Sequence, residues 1–353
     1  MRDRGHDVLV VDNLSSQIHG EIPNITKIDG IRFVRLDVRD LADRFNLLED
    51  RDVIFHFAAE TGTGQSMYQI AQYVSVNDLG CALLLEGLLK CSKRARHIIL
   101  ASSRSVYGEG AYERINQPGL IEDVMPRTRS QLELRQWEPI GLDGSSLRAV
   151  ATAETQPFRP TSIYAATKIS QEMLLTSASI GLGFKCTIFR FQNVYGEGQS
   201  LKNPYTGIIS IFFNRARQGL RIPLYEDGNE SRDFIHVNDV IDALESALLA
   251  DIPSPIVFNL GSGCQTSVRA LAEKLVEVSG HKVPIVVTGQ YRIGDIRHCF
   301  ADIRRVQNSL GFIPKINIEI GLKRFVAWAS QQPIYQDKLL SAEKELRDRG
   351  LGS

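Results

Sequence analysis

The chain has 353 residues, 41 Lys+Arg against 41 Asp+Glu, 43% hydrophobic and 23% charged residues, the make-up of a globular protein able to bury a large core as one big α/β domain or two interlocked ones. The balanced charge offers no global field to nucleic acid or an acidic membrane surface, and the longest apolar runs, such as 208–213, are too short to span a bilayer. Five scattered cysteines (Cys81, Cys91, Cys186, Cys264, Cys299) form no C-x-x-C, and the start from Met1 to Asp7 is polar; a reducing cytoplasm with buried thiols is expected, and a metal site is not.

Gly5 closes what reads as the last turn of a helix, and Val8-Leu9-Val10-Val11 follows as a buried strand ending at Asp12-Asn13. A strand from Ile31 to Leu36 ends at Asp37, a short helix is expected between Asp40 and Asp50, and Val53 to Ala58 makes a third apolar strand. Helical periodicity runs from about Ile70 to Lys90 with Asn77 inside, and the strand His97 to Leu100 leads into Ala101-Ser102-Ser103. Strands alternating with helices predict an α/β fold with a doubly wound, parallel Rossmann-type sheet, whose ligands sit beyond the carboxyl ends of the strands. Asp12, Asp37, Ala58-Ala59 and Ser102-Ser103 all fall at such ends.

From Gly108 to about Pro160 no period is sustained, which predicts a lid or a loop insertion. A helix opens at Tyr164 and runs through Met173; the strand Cys186 to Phe191 ends at Gln192-Asn193, and a last buried strand spans 256–260. Further helices are expected over 208–218, 238–250, 268–280 and 320–329. The tail after Gln331 is polar and helix-prone, with Glu343 to Arg349 expected to form a solvated face.

Tyr-x-x-x-Lys spacing places Tyr164 and Lys168 on one helix face, where an ammonium lowers a phenol's pKa and readies it for proton transfer. The same spacing is common on surface helices, so the pair gains meaning from its company at the strand ends. A dinucleotide site in such a sheet normally carries G-x-x-G-x-x-G or G-x-G-x-x-G after the first strand, because only glycine lets backbone N–H groups close on a pyrophosphate. Here that run is absent; Gly62-Thr63-Gly64 and Gly196-Glu197-Gly198 lie after later strands and lack the third glycine. Asp12 stands where the second strand of a complete fold offers an acceptor to a ribose 2′-hydroxyl. The first strand and its glycine loop are therefore expected upstream of Met1, and a chain without them is expected to bind a dinucleotide poorly, with an unpaired apolar channel in its sheet.

These residues carry a resemblance that runs from about Gly5 to the end of the chain. Val11 to Ser15, Asp37, His56-Phe57-Ala58-Ala59, Asn77, Ser102-Ser103 with Val106-Tyr107-Gly108, Tyr164 to Lys168, Arg190 to Gly196, Ser231 to Val237 and Phe258 to Gly261 resemble, in order, the extended short-chain dehydrogenase/reductases of the nucleotide-sugar epimerase/dehydratase type. The resemblance implies NAD as cofactor, bound by residues 1–195 and 236–265 with an insertion at about 109–160, and a smaller nucleotide-sugar-binding α/β domain formed by 196–235 and 266–353. It implies Ser103, Tyr164 and Lys168 as the catalytic set, with Lys168 also holding the nicotinamide ribose. It implies Asp12 and Asn13 at the adenosine ribose, Asp37 and Val38 beside adenine, and Phe57, Ala58, Ala59 and Asn77 along the cofactor. Asn193, Arg232 and Arg292 are the implied sugar-diphosphate contacts, and Arg is suited to bidentate phosphate binding. A homodimer through the helices near 70–90 and 162–179 is the implied assembly.

Relatives that dehydrate carry Thr-Asp-Glu where this chain has Ser103-Arg104-Ser105; decarboxylating relatives want Glu near Ser105, and 3,5-epimerising ones a Cys. What remains is oxidation at C4, rotation of the bound 4-keto sugar and hydride return to its other face, a 4-epimerase. A narrower resemblance, to dTDP-L-rhamnose 4-epimerases, rests on Ala59 to Met67, the insertion, Gln199 to Ile208 and Gly294-Asp295-Ile296-Arg297-His298; it implies a dTDP-6-deoxy-L-talose as product, and Glu60 and Gln65 are candidates to touch sugar hydroxyls. Two rival readings stay open: a one-way nucleotide-sugar reductase or dehydrogenase, and an inactive chain with a structural or regulatory role.

Overall fold

The computed structural model describes residues 1–20, 30–122, 124–205 and 207–353. Short β-rich segments alternate with helices through the first half: β1 (Val8–Asp12), β2 (Ile31–Arg35), β3 (Val53–His56) and β4 (His97–Ser103). The expected insertion is ordered, with β5 (Ala111–Arg114), β6 (Gln117–Glu122) and β7 (Leu147–Val150) forming an antiparallel sheet in the order β6-β5-β7. Then follow β8 (Lys185–Phe191), β9 (Asn193–Tyr195), β10 (Ile222–Leu224), β11 (Ser231–Arg232), β12 (Phe234–His236), β13 (Ile256–Leu260), β14 (Thr266–Ser267), β15 (Ile285–Val287) and β16 (His298–Cys299).

The central sheet runs β13-β8-β4-β3, all parallel. Strand alternation sends Ile98 and Leu100 to one face and Ile99 to the other. The first face is covered by α1 (Gly80–Lys90) through Leu84 and Leu88 and by α2 (Ile163–Leu182) through Leu175; the second face meets Val240, Ala243 and Leu244. A doubly wound layer results, as the alternation predicts. β1 pairs in parallel with β2, from Val8↔Ile31 to Asp12↔Arg35, as a separate two-stranded sheet. Among the described residues the facing edges of β1 and β3 carry no ladder between them, although Arg51 reaches Asp7 at 3.4 Å at one end and Gln17 and Gln65 exchange hydrogen bonds of 3.0 and 2.9 Å at the other.

The smaller C-terminal unit has its own core. Ile209, Phe212 and Phe213 of α3 (Ile208–Arg217) pack on Leu271 and Leu275 of α5 (Val268–Ser279) and on Leu322 and Phe325 of α6 (Ile318–Ala329); α4 (Val237–Leu249) belongs to the sheet's second face. Parallel pairs β9-β12 and β10-β15 and the triplet β14-β11-β16 accompany these helices.

Four expectations are corrected. The span from Asp40 to Asp50 holds 3-10 turns, Val38–Asp40 and Phe45–Leu47, in place of a helix. The third strand stops at His56, so Phe57 and Ala58 stand exposed beyond it. Cys264 is exposed while the other four thiols are buried. The run from Glu343 to Arg349 is solvated only in part: Lys344 and residues 347–349 are exposed, while α7 (Leu339–Asp348) buries Leu339, Ala342, Glu343 and Leu346. No helix among the described residues is long and apolar enough to cross a membrane.

Candidate active site

β4 delivers two serines to opposite sides. Ser102 is buried and donates to Glu172 of α2; Ser103 emerges at the strand end, caps the following 3-10 turn by accepting from Ser105 N at 3.2 Å, and accepts from Ser105 Oγ at 2.9 Å. Glu172 also holds Arg190 of β8 with bonds of 3.0 Å from Nε and 2.8 Å from Nη2. That buried pair fixes helix, strand β4 and strand β8 against one another one helical turn beyond Lys168.

Ser162 caps the N-terminus of α2, accepting from Ala165 N at 3.2 Å. This start places Tyr164 in the first turn and Lys168 one turn later, with Nζ 5.9 Å from the Tyr164 ring centroid. Lys168 is 2% exposed and donates to Ala101 O at 2.8 Å. Burial lowers its ammonium to about 8. Burial raises the Tyr164 phenol above its ordinary value, while a hydrogen bond with Ser103 and the nearby Arg104 guanidinium pull it back. Tyr73, fully buried, meets the Tyr164 ring edge-on at 6.5 Å. Ser103, Tyr164 and Lys168 therefore converge at the carboxyl end of β4, as the sequence predicts.

Along the other strand ends, the half-exposed Asp12 accepts from Leu14 N at 2.7 Å, and Asn13 donates to Asp37 at 3.1 Å. Arg39 grips Asp37 through Nε at 2.8 Å and Nη2 at 3.0 Å, holding that carboxyl down at about 2. Val38 is buried against Gly80, where a Cβ would stand 2.6 Å from Val38 Cγ1. Asn77 has its carboxamide fully engaged: Oδ1 accepts from Glu60 N at 2.8 Å, and Nδ2 donates to Glu60 O at 3.1 Å and Thr167 Oγ1 at 2.9 Å. It ties the loop after β3, at Glu60, to α2. Gln65 is buried on Gln17, and Glu60 accepts from Gln72 at 3.0 Å.

The predicted diphosphate residues form a neighbouring row. Arg232 donates to Asp295 at 3.0 Å and to the carbonyls of Ser231 and Arg297. Arg292 stacks 4.4 Å from the Tyr225 ring centroid and donates to Tyr225 Oη at 2.8 Å. Asn193, at the head of β9, accepts from Arg104 Nε at 2.7 Å.

Sequence reasoning read the tail as helix-prone but missed the docked face of α7, which closes over this row: Glu343 accepts from Tyr225, Glu345 accepts from Tyr68 at 2.9 Å and Tyr205 at 2.7 Å, and Arg349, just past the helix, lies 4.4 Å from the Tyr68 ring centroid. Apolar residues at 339, 342 and 346 give the helical spacing that marks a buried face, and that signal was available in the sequence. Of the Gln199 to Ile208 run, Thr206 lies outside the described residues.

At the ribose and nicotinamide positions the residues fit NAD in their chemistry, while the sequence holds no glycine-rich run to close on its pyrophosphate. Lys168 uses one of an ammonium's three donors on Ala101, Phe57 and Ala58 offer an exposed apolar floor past β3, and Asp12 presents a half-exposed carboxylate at the end of β1.

Residues 1–130 and 143–261 match the NAD dependent epimerase/dehydratase family. The chain is 39% identical over 332 residues to a dTDP-L-rhamnose 4-epimerase of Burkholderia thailandensis, covering 93% of this chain and 90% of that one. Among solved structures it is similar to the UDP-glucose 4-epimerase of Thermotoga maritima with UDP-glucose (TM-score 0.75, 28% identity, 94% and 93% of the two chains). It is also similar to MoeE5 in complex with UDP-glucuronic acid and NAD (TM-score 0.73, 26% identity, 94% and 93% covered). Strand ends, the Ser103, Tyr164 and Lys168 cluster and these matches agree: the chain belongs to the NAD-dependent epimerase/dehydratase family.

Proposed function

We propose that the chain is a 4-epimerase of a nucleotide-activated sugar, with dTDP-L-rhamnose as substrate. The observation that carries this reading is the surroundings of Ser103: its neighbours Arg104 and Ser105 bond Asn193 and Ser103 itself, and positions 104 and 105 supply no carboxylate to expel water from the sugar. Tyr164 takes the proton from the sugar's C4 hydroxyl and returns it after the sugar has turned. Ser103 holds the same oxygen, and Lys168 steadies the nicotinamide ribose while its charge favours the phenolate. Reversible hydride acceptance at C4 is the chemistry that NAD supplies when bound. Asp12, Asn13, Asp37, Val38, Phe57, Ala58, Ala59 and Asn77 hold or shape the cofactor site, and Asn193, Arg232 and Arg292 hold the diphosphate.

Incubation with NAD and dTDP-L-rhamnose, followed by NMR, is expected to show the C4 epimer with flat absorbance at 340 nm. An absorbance change in step with substrate would replace the epimerase by a one-way reductase or dehydrogenase.

The same reading includes a homodimer. Ile70 and Val74, and Met173 and Ile180 of α2, are exposed apolar side chains (48%, 42%, 52% and 73%) on the helices beside the site, a composition that favours association. Light scattering after size exclusion should give twice the chain mass; a monomer at micromolar concentration would refute the dimer.

A further inference from the structure

Arg104 follows Ser103 directly and lies between the proton-transfer group and the diphosphate row. Its Nε is fixed on Asn193 Oδ1 at 2.7 Å, and its Nη1 is buried with no hydrogen-bond partner. Of the neighbouring guanidiniums, Arg232 has Asp295 at 3.0 Å and two carbonyls, while Arg292 donates to Tyr225 through Nη2 and, like Arg104, keeps one buried nitrogen, its Nε, without a partner. Among the described residues Arg104 makes no ion pair with a carboxylate, and burial together with the nearby Arg232 pushes the guanidinium below its ordinary value. Asp295, already paired with Arg232, offsets this only in part, and a buried guanidinium with an idle donor and no carboxylate of its own is an incomplete arrangement. A neutral sugar hydroxyl would satisfy the donor and leave the charge; an anion satisfies both.

We propose that Arg104 is a substrate-binding residue whose Nη1 takes an oxygen of the sugar-bearing phosphate of the nucleotide diphosphate. Its position selects that phosphate: Arg104 is adjacent in sequence to Ser103 and acts on the Tyr164 phenol, so the anion it meets is the one closest to the reacting sugar. Arg232 and Arg292 lie further along the row and take the remainder of the diphosphate. This inference rests on the nucleotide-sugar reading above, and it adds a function: the 4-keto sugar must turn about its link to the phosphate, and a phosphate held by Arg104 is a fixed pivot for that turn.

The test compares nucleoside diphosphate with monophosphate. Calorimetry on wild type and Arg104→Met with dTDP, dTMP, UDP and UMP is expected to show the variant weakened roughly 10- to 100-fold for a diphosphate, the loss of one charge-assisted contact to an ionised group, and less than about threefold for the matching monophosphate. Arg104→Lys, which keeps the charge and loses the fork, should fall between. It also serves if the methionine variant fails to give a cooperative melt. Equal diphosphate affinity in wild type and a folded variant overturns the role of Arg104 and leaves the functional reading standing. Equal losses for mono- and diphosphate overturn the assignment to the sugar-bearing phosphate. If wild type binds none of the four, the nucleotide-sugar reading itself fails.

Discussion

Tyr164→Phe is expected to lower turnover by roughly 10²- to 10⁴-fold, the range for losing a positioned proton-transfer group, with NAD affinity nearly unchanged. Phenylalanine keeps the ring that meets Tyr73 edge-on and the helix start capped by Ser162; it removes only the phenolic oxygen that Ser103 engages. Steady-state kinetics with calorimetry on the same preparation separate the two quantities, and unaltered turnover would remove Tyr164 from the chemistry. Lys168 sets the pH behaviour around it. Its folded value of about 8 lies below the ordinary 10.5, so between these values the unfolded chain binds more protons than the folded one. The buried ammonium therefore costs stability below pH 8, and stability recovers as pH rises toward 10.5.

Arg190→Met is expected to cost about 3–5 kcal/mol in denaturant unfolding, the range for stranding one partner of a buried ion pair. The guanidinium lies between the rings of Tyr107 and Phe158, 4.9 and 4.8 Å from their centroids, and donates to Tyr107 Oη at 2.9 Å and Glu154 O at 3.0 Å. Without it Glu172, 3% exposed, keeps only Ser102 as a hydrogen-bond partner among the described residues. The double variant Glu172→Leu/Arg190→Met should recover a large share of the loss, because an apolar pair of similar volume is often as stable as a buried ion pair. An unchanged midpoint in the single variant would mean that the pair does not hold β4, β8 and α2 together.

The strand ends were legible because a buried parallel strand reads as an unbroken apolar run, and β4 and β8 do so. Tyr164 and Lys168 were legible from spacing alone, and only their convergence with Ser103 gave the spacing meaning. The insertion was opaque for a physical reason: β6 is almost wholly exposed, the β5-β6 register shifts at Glu113/Arg114, and ion pairs from Glu113 to Arg148 and from Arg114 to Glu122 help hold the sheet in place of apolar alternation. Arg104 was read only as the absence of an acid. Its idle donor is a property of three-dimensional neighbours, and no linear pattern encodes it. Asn77 was read as lining the cofactor; its bonds to Glu60 and Thr167 add a bracing role that linear order does not encode.

α7 touches both halves of the molecule: Leu346 lies against Gly64 and Arg349 over Tyr68 on one side, while Glu343 and Glu345 hold Tyr225 and Tyr205 on the other. The two halves cannot part as a simple hinge while that helix stays folded and docked. Any opening between the halves therefore has to break these contacts or undock the ten residues of α7, which ties cleft opening to the stability of the carboxyl end.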